Sequence, residues 1–330
     1  MREQVHPRDK SRSSYQHKCG FWVGTENDGT RIRNGFVRKT MGEPVNGIPQ
    51  TGTNTSAIGL ALQAYLDAVG VTILPPRVQQ EALIDIYFTS IHPILPVLNH
   101  AAFTSCYAEA TEPRLLLQAI CIVASKHDRA RPHLILPDDP APQNPRAFAK
   151  KLYDAVVAVI GANLERDRVV LIQVLALLSL YVEASAGAEQ SSMHLAQAIH
   201  HAHTFALQFD QVSRPSNNAS LRTLFWCLWS LDKLNASING RPLIMHDRDN
   251  HLESPTSRPE ERHTAFGIWL QLAEALDKVI TFYRPMTDNA VTGWEQDFPG
   301  FEDMIADVGD KLDTPTIGMN LRVFSLSPNC

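Results

Sequence analysis

Four histidines crowd one short stretch: His194, His200, His201 and His203. His200 and His203 stand one helical turn apart, a spacing at which two imidazoles on one helix face chelate a divalent metal. No Glu or Asp accompanies them at the HExxH spacing of a metal hydrolase, and Asp210 lies only at the end of the segment. The pattern therefore reads as partly exposed helix histidines. A metal-dependent or hydrolytic enzyme built on His200 and His203 is the least supported function. His127-Asp128 and His246-Asp247 are adjacent pairs, but a base and its orienting acid meet through folding, so adjacency is no sign of a triad. GxSxG, P-loop and GxGxxG patterns are missing from the sequence. The acidic run Phe301–Asp310 lacks the alternating oxygen ligands of a calcium loop. No catalytic constellation emerges, and the expectation is a protein that is not an enzyme, with no cofactor.

The sharper chemistry lies in Ser220–Pro255, SLRTLFWCLWSLDKLNASINGRPLIMHDRDNHLESP. Leu221, Leu224, Phe225, Leu228 and Leu231 form one helical stripe. Arg222, Trp226, Trp229 and Lys233 form another, which sets two indoles between two cations. That second face reads as a cation–π stripe inside the core or as an exposed nucleic-acid or partner surface, and tryptophan's habit of burial favours the first. Asp232 falls beside the aliphatic stripe. A buried carboxylate there needs a partner, and Arg241 past the helix end is the nearest candidate, with free amides of the turn as alternatives. The helix is expected to stop at Asn239-Gly240, because glycine permits the left-handed terminating residue and Pro242 forbids continuation.

The elements that position this stretch are helical throughout. Helical periods are expected over Ser56–Val69, Arg77–Ile91, Pro113–Lys126, Pro145–Asn163, Asp167–Ala186, Gln190–Phe209 and Pro259–Tyr283. IHPILPVLNHAAF, with Pro93 and Pro96, reads as a buried extended connector. Arg131–Pro145 holds five prolines and reads as an irregular excursion. The fold class is all-α, a bundle or superhelix of roughly ten helices with a disordered N-terminal arm. Residues 1–55 form that arm. Residues 56–283 form the helical domain, and 284–330 a mixed C-terminal tail.

Bulk properties narrow the partners. A net charge of −5 argues against a chain that binds nucleic acid through overall charge. The arm is mildly basic, with nine Lys or Arg against five Asp or Glu over residues 1–44. Its RIRNGFVRK segment is a sparse candidate for nuclear import or DNA-backbone contact. Five scattered cysteines, odd in number and without CxxC spacing, point to a reducing compartment rather than a disulfide framework. The longest apolar run, Val169–Val182, falls short of the ~20 residues that span a bilayer, so no membrane partner is expected.

Several of these motifs in this order resemble the fungal-specific transcription factor domain, the middle regulatory region of binuclear zinc-cluster (Zn2Cys6) regulators. The resemblance is carried by Tyr87–Phe103 with His92, Pro93 and Pro96, by Val170–Gly187, by His194–Gln208, and by Leu221–Pro255. Its signature residues here are Arg222, Trp226, Trp229, Asp232, Gly240, Arg241 and Pro242, followed by Asp247, Asp249 and Pro255. It implies a nuclear transcription regulator with a domain that restrains or tunes activity, homo- or heterodimerises, and answers to a small-molecule effector. Pathway-specific control of a metabolic or secondary-metabolite gene cluster is the first implication, and control of lipid, cutin or other carbon-source catabolism the second. The family's DNA-binding module needs six cysteines around zinc, whereas only Cys19 precedes Cys106. DNA contact is therefore expected to be indirect, through a zinc-cluster partner, and a non-DNA-binding partner or inhibitor of a full-length regulator, or a truncated fragment, is the competing reading. The Gly-Leu-His that follows the histidine helix in the family is replaced by Ala206-Leu207-Gln208.

Overall fold

The structure, a computed structural model, describes residues 52–183, 187–209 and 218–282. All but a few residues of the expected basic arm, the tail from 284 and the Phe301–Asp310 run lie outside these. The described residues form ten α-helices and no strand, with only an isolated bridge between Leu136 and Asp139. The helices are α1 (Gly52–Val69), α2 (Arg77–Ile86), α3 (His100–Ala108), α4 (Arg114–Ala124), α5 (Pro145–Gly161), α6 (Arg168–Leu178), α7 (Gly187–Thr204), α8 (Asn218–Asn239), α9 (Pro259–Arg262) and α10 (Ala265–Phe282). The all-α expectation holds. Among the described residues no helix is long and apolar enough to cross a membrane.

Packing runs as a chain of neighbours. α1 leans on α5, α5 on α4, α4 on α2 and α6, α6 on α7, α7 on α8, and α8 on α10. The middle members are apolar all round because they have neighbours on every side. In α4 every residue from Leu115 to Ala124 is buried. Gln118 is tolerated there because its amide donates to the Val71 and Ile73 carbonyls at 3.1 and 2.8 Å. α8 is flanked by α7 and α10, which explains why two of its faces carry apolar stripes.

Four boundaries depart from the periodicity, each for a local reason. The second helix ends as α at Ile86 and continues to Ile91 as a π-turn, in which the His92 N–H reaches back to the Tyr87 carbonyl at 2.9 Å. The apolar connector is shorter than expected, because Asn99 caps a separate helix, α3, by accepting from Ala102 N–H at 2.9 Å. The apolar run after Asp167 leaves the helix at Leu178 instead of Ala186. There the Ser191 hydroxyl takes the Ser179 carbonyl, and Lys126 Nζ takes the Leu180 carbonyl at 2.7 Å, so neither serves a further helical turn. The last long helix is split at His263-Thr264. Thr264 Oγ1 accepts from Gly267 N–H at 3.0 Å and starts α10. Gly267 lies so close to the preceding turn that a Cβ would stand 2.0 Å from the Glu261 carbonyl oxygen.

Candidate functional site

α8 forms because Asn218–Asn239 contains neither proline nor glycine, and it ends where expected, with Gly240 at φ +60°. The segment after it, Leu243–Asp247, folds back along the helix and is fastened by three side chains of α8. Asp232 Oδ2 accepts from the backbone N–H groups of Ile244 and Met245, both at 2.9 Å. Lys233 Nζ donates to the carbonyl of the same Met245 at 2.7 Å. Trp229 Nε1 donates to Asp247 Oδ1 at 2.8 Å, one turn earlier on the helix. Adjacent residues 232 and 233 thus satisfy both backbone groups of Met245, whose side chain is buried beneath the strap. An extended strap cannot satisfy its own amides, so buried charged side chains supply the partners.

The clamp reaches α10 as well. Lys233 is 1% exposed, and its ammonium pairs with Asp277 Oδ1 at 3.0 Å. It also stands 4.8 Å from the Trp229 ring centroid, a cation–π contact inside the protein. Ser230, buried between them, accepts from Trp269 Nε1 at 2.8 Å and donates to the Cys227 carbonyl at 2.8 Å. Asp232 has no exposed surface. Burial pushes its carboxyl above the usual carboxylate range, opposed by the Met245 and Ile244 N–H groups, then by Lys233 and His246.

The structure therefore places Trp226, Trp229, Asp232 and Lys233 together in the interior, with the two indoles edge to face at 5.4 Å. Their burial excludes the nucleic-acid surface and supports the core stripe. Arg222 sits partly exposed near the start of α8. Gly240, Arg241 and Pro242 form an exposed turn. Arg241 is not the partner of Asp232: an exposed guanidinium gains nothing from a carboxylate facing inward, and the strap amides stand in its place. Asp277 escaped notice in the sequence because on α10 it looks like part of the polar face of an amphipathic helix. Only the contact with α8 turns Asp277 inward.

Of the helix histidines, His200 and His201 have their rings 6.0 Å apart, and His194 faces elsewhere. His200 is exposed, His201 Nδ1 faces Arg168 Nη1 at 3.4 Å, and His194 Nε2 lies 2.8 Å from the Tyr153 hydroxyl. Among the described residues no cluster of three or more His, Cys, Asp or Glu could hold a metal ion. The family's zinc cluster does not fit the residues present either. Five cysteines cannot supply six ligands. Cys121 and Cys227 are buried in the core, where burial pushes the Cys121 thiol up to about 12 and the Cys227 thiol well above its ordinary range.

Comparison with known proteins gives this architecture its class. Residues 84–283 match the fungal specific transcription factor domain, a span that runs from within α2 to just past the end of α10. The chain belongs to that family, which is one of transcription regulators and not of enzymes. It is 30% identical over 204 residues to cutinase transcription factor 1 alpha of Fusarium vanettenii, an alignment covering 57% of this chain and 21% of the relative. It is 24% identical over 204 residues to transcriptional activator protein acu-15 of Neurospora crassa, covering 59% of this chain and 21% of the relative. The chain thus spans about a fifth of the length of these relatives. No solved structure matches it.

Proposed function

We propose that this chain regulates transcription in the nucleus through its helical domain, as a pathway-specific controller of fungal metabolic genes. The observation that carries this is the family match over residues 84–283, which takes in the whole α8 clamp. Similarity to a protein named as a cutinase transcription factor favours carbon-source catabolism, lipid or cutin use, over a secondary-metabolite cluster. No cofactor enters this reading. In this reading the helical domain reaches DNA indirectly, through a zinc-cluster partner in a heterodimer.

Transcript measurement in a deletion strain tests the pathway. Cutinase and lipid-catabolic transcripts are expected to lose their response to a cutin or lipid carbon source. An unchanged response would remove that pathway. A gel shift tests the partner: the purified chain alone is expected to leave promoter DNA unshifted and to supershift a zinc-cluster regulator already bound. Sequence-specific binding by the chain alone would overturn the indirect mode.

A further inference from the structure

Of the ten large hydrophobic residues exposed among the described residues, four sit on α1. They are Ile58 (69% exposed), Leu60 (70%), Leu62 (37%) and Tyr65 (53%). Residues 57–65 are all exposed, and Leu66 is buried. Asp67 is the only charged residue of the helix. Such a concentration of uncovered apolar side chains marks a docking surface, since an apolar helix without neighbours is marginal in water. Ile58, Leu62, Tyr65 and Val69 share one face, at i, i+4, i+7 and i+11. That face runs into a cleft of about 600 Å³ between α1 and α5, with Tyr65, Val69, Ile73 and Val157 as its apolar wall. The charges at the cleft are already paired, Lys151 with Asp138 at 3.0 Å and Asp154 with Lys150 at 2.6 Å. The cleft therefore suits an apolar guest.

The same spacing recurs in the sequence at Phe301, Ile305, Val308 and Leu312, with Met304 beside them. These residues lie outside the described ones. On a helical wheel FEDMIADVGDKL places its large apolar residues on one side and Asp303, Asp307 and Asp310 on the other. Two stripes of this period interlock side by side, knobs into holes. Asp67 points away from the α1 stripe, so the acidic side of the segment meets no like charge on α1. Gly309 and a length of twelve residues leave the segment poorly helical alone, and a receiving surface supplies what it lacks.

Reach and area select this occupant over a second copy. Eighteen residues join Phe282, the end of α10, to Phe301. Extended, they reach about 60 Å. A domain the size of residues 52–282 has a radius of gyration of about 17 Å, so α1 is within reach. The α1 stripe is about 17 Å long and one helix, about 10 Å, wide. That is a fraction of the roughly 800 Å² per partner of a stable dimer. A tethered segment needs less, because its docking is intramolecular.

We propose that residues 301–312 of this same chain dock as a helix on the Ile58–Val69 stripe of α1. Docked, they keep that stripe from pairing with any other helix.

Hydrogen exchange and photo-cross-linking of the purified full chain test this. Amides of residues 57–65 are expected to be protected, and to exchange about tenfold or more faster in Ile305→Lys, which sets a cation in the apolar stripe. Asp303→Asn, on the opposite side of the segment, should leave their exchange unchanged. The protection should persist on dilution. With p-benzoylphenylalanine in place of Tyr65, light is expected to join that position to residues 301–312 of the same chain. Equal exchange in the wild type and Ile305→Lys, or a cross-link that falls outside residues 301–312, would overturn the proposal. Protection lost on dilution, or a cross-link between two chains, would overturn it in favour of a second copy.

Discussion

Replacing Lys233 by methionine probes the centre of the clamp. Lys233→Met keeps the length of the stem and its packing while removing the ammonium. Two groups then lose their partner: the Met245 carbonyl at 2.7 Å and the Asp277 carboxylate at 3.0 Å. Removing one partner of a fully buried pair costs about 3–5 kcal/mol. The Asp277 side chain is 24% exposed and recovers part of its hydration, which lowers the expected cost to about 2–4 kcal/mol. For a domain of this size each kcal/mol moves the melting temperature by about 2–4 °C, so a fall of roughly 4–16 °C is expected. Urea denaturation of the wild type, Lys233→Met, Asp277→Leu and the double variant makes a cycle. The double variant removes both charges and leaves only the Met245 carbonyl without its donor, so it should be less destabilised than the sum of the singles by about 1–3 kcal/mol. Additivity within about 0.5 kcal/mol would refute the reasoning, because it would mean that the two charges do not meet in the folded protein.

Further outcomes follow from other contacts. Asp232→Asn weakens two charge-assisted bonds to the strap and puts an amide N–H₂ where Oδ1 has no partner, for a cost of about 1–3 kcal/mol by urea denaturation. Arg241→Ala, at an exposed position, should stay within about 0.5 kcal/mol; the reverse order would return Arg241 to the role of partner. Gly267→Ala drives a methyl group onto the Glu261 carbonyl and should cost about 1–3 kcal/mol, read as a lower urea midpoint. Burial lowers the pKa of His194 below its ordinary 6.5, and its Nδ1 has no partner. The unfolded chain then binds the proton more readily, so this contribution to stability is complete above pH 6.5 and lost as pH falls through the folded value. Melting curves from pH 7.5 down to 5 should show that loss, and His194→Gln should reduce it, the remainder coming from His92, His201 and His203, which burial also lowers.

The helical class, the end of α8 and the buried tryptophan stripe were legible because they depend on local periodicity and on Gly240 and Pro242. Asp232 was legible as an anomaly, a carboxylate on an aliphatic face, but its partner was not. The helix wheel shows which way a side chain points and is silent on which backbone returns to meet it. Arg241 was the nearest opposite charge in sequence, whereas two strap amides are the nearest donors in space. Asp277 was hidden for the converse reason: its inward role exists only once α10 lies on α8. The early end of α6 was equally hidden, since it depends on Ser191 of α7 and Lys126, just past α4, reaching the Ser179 and Leu180 carbonyls that follow it. Asn99 did carry a local signal for α3, a capping side chain, which the flanking prolines and apolar run masked.

Tethering the whole chain to an unrelated DNA-binding module, upstream of a reporter in a fungal host, tests the central claim most directly. The account predicts reporter output different from that of the module alone, and a return towards the module's own level in Lys233→Met, where the strap loses one of its fastenings and its tie to α10. Output equal to the module alone, with the fusion intact and present in the nucleus, would contradict it.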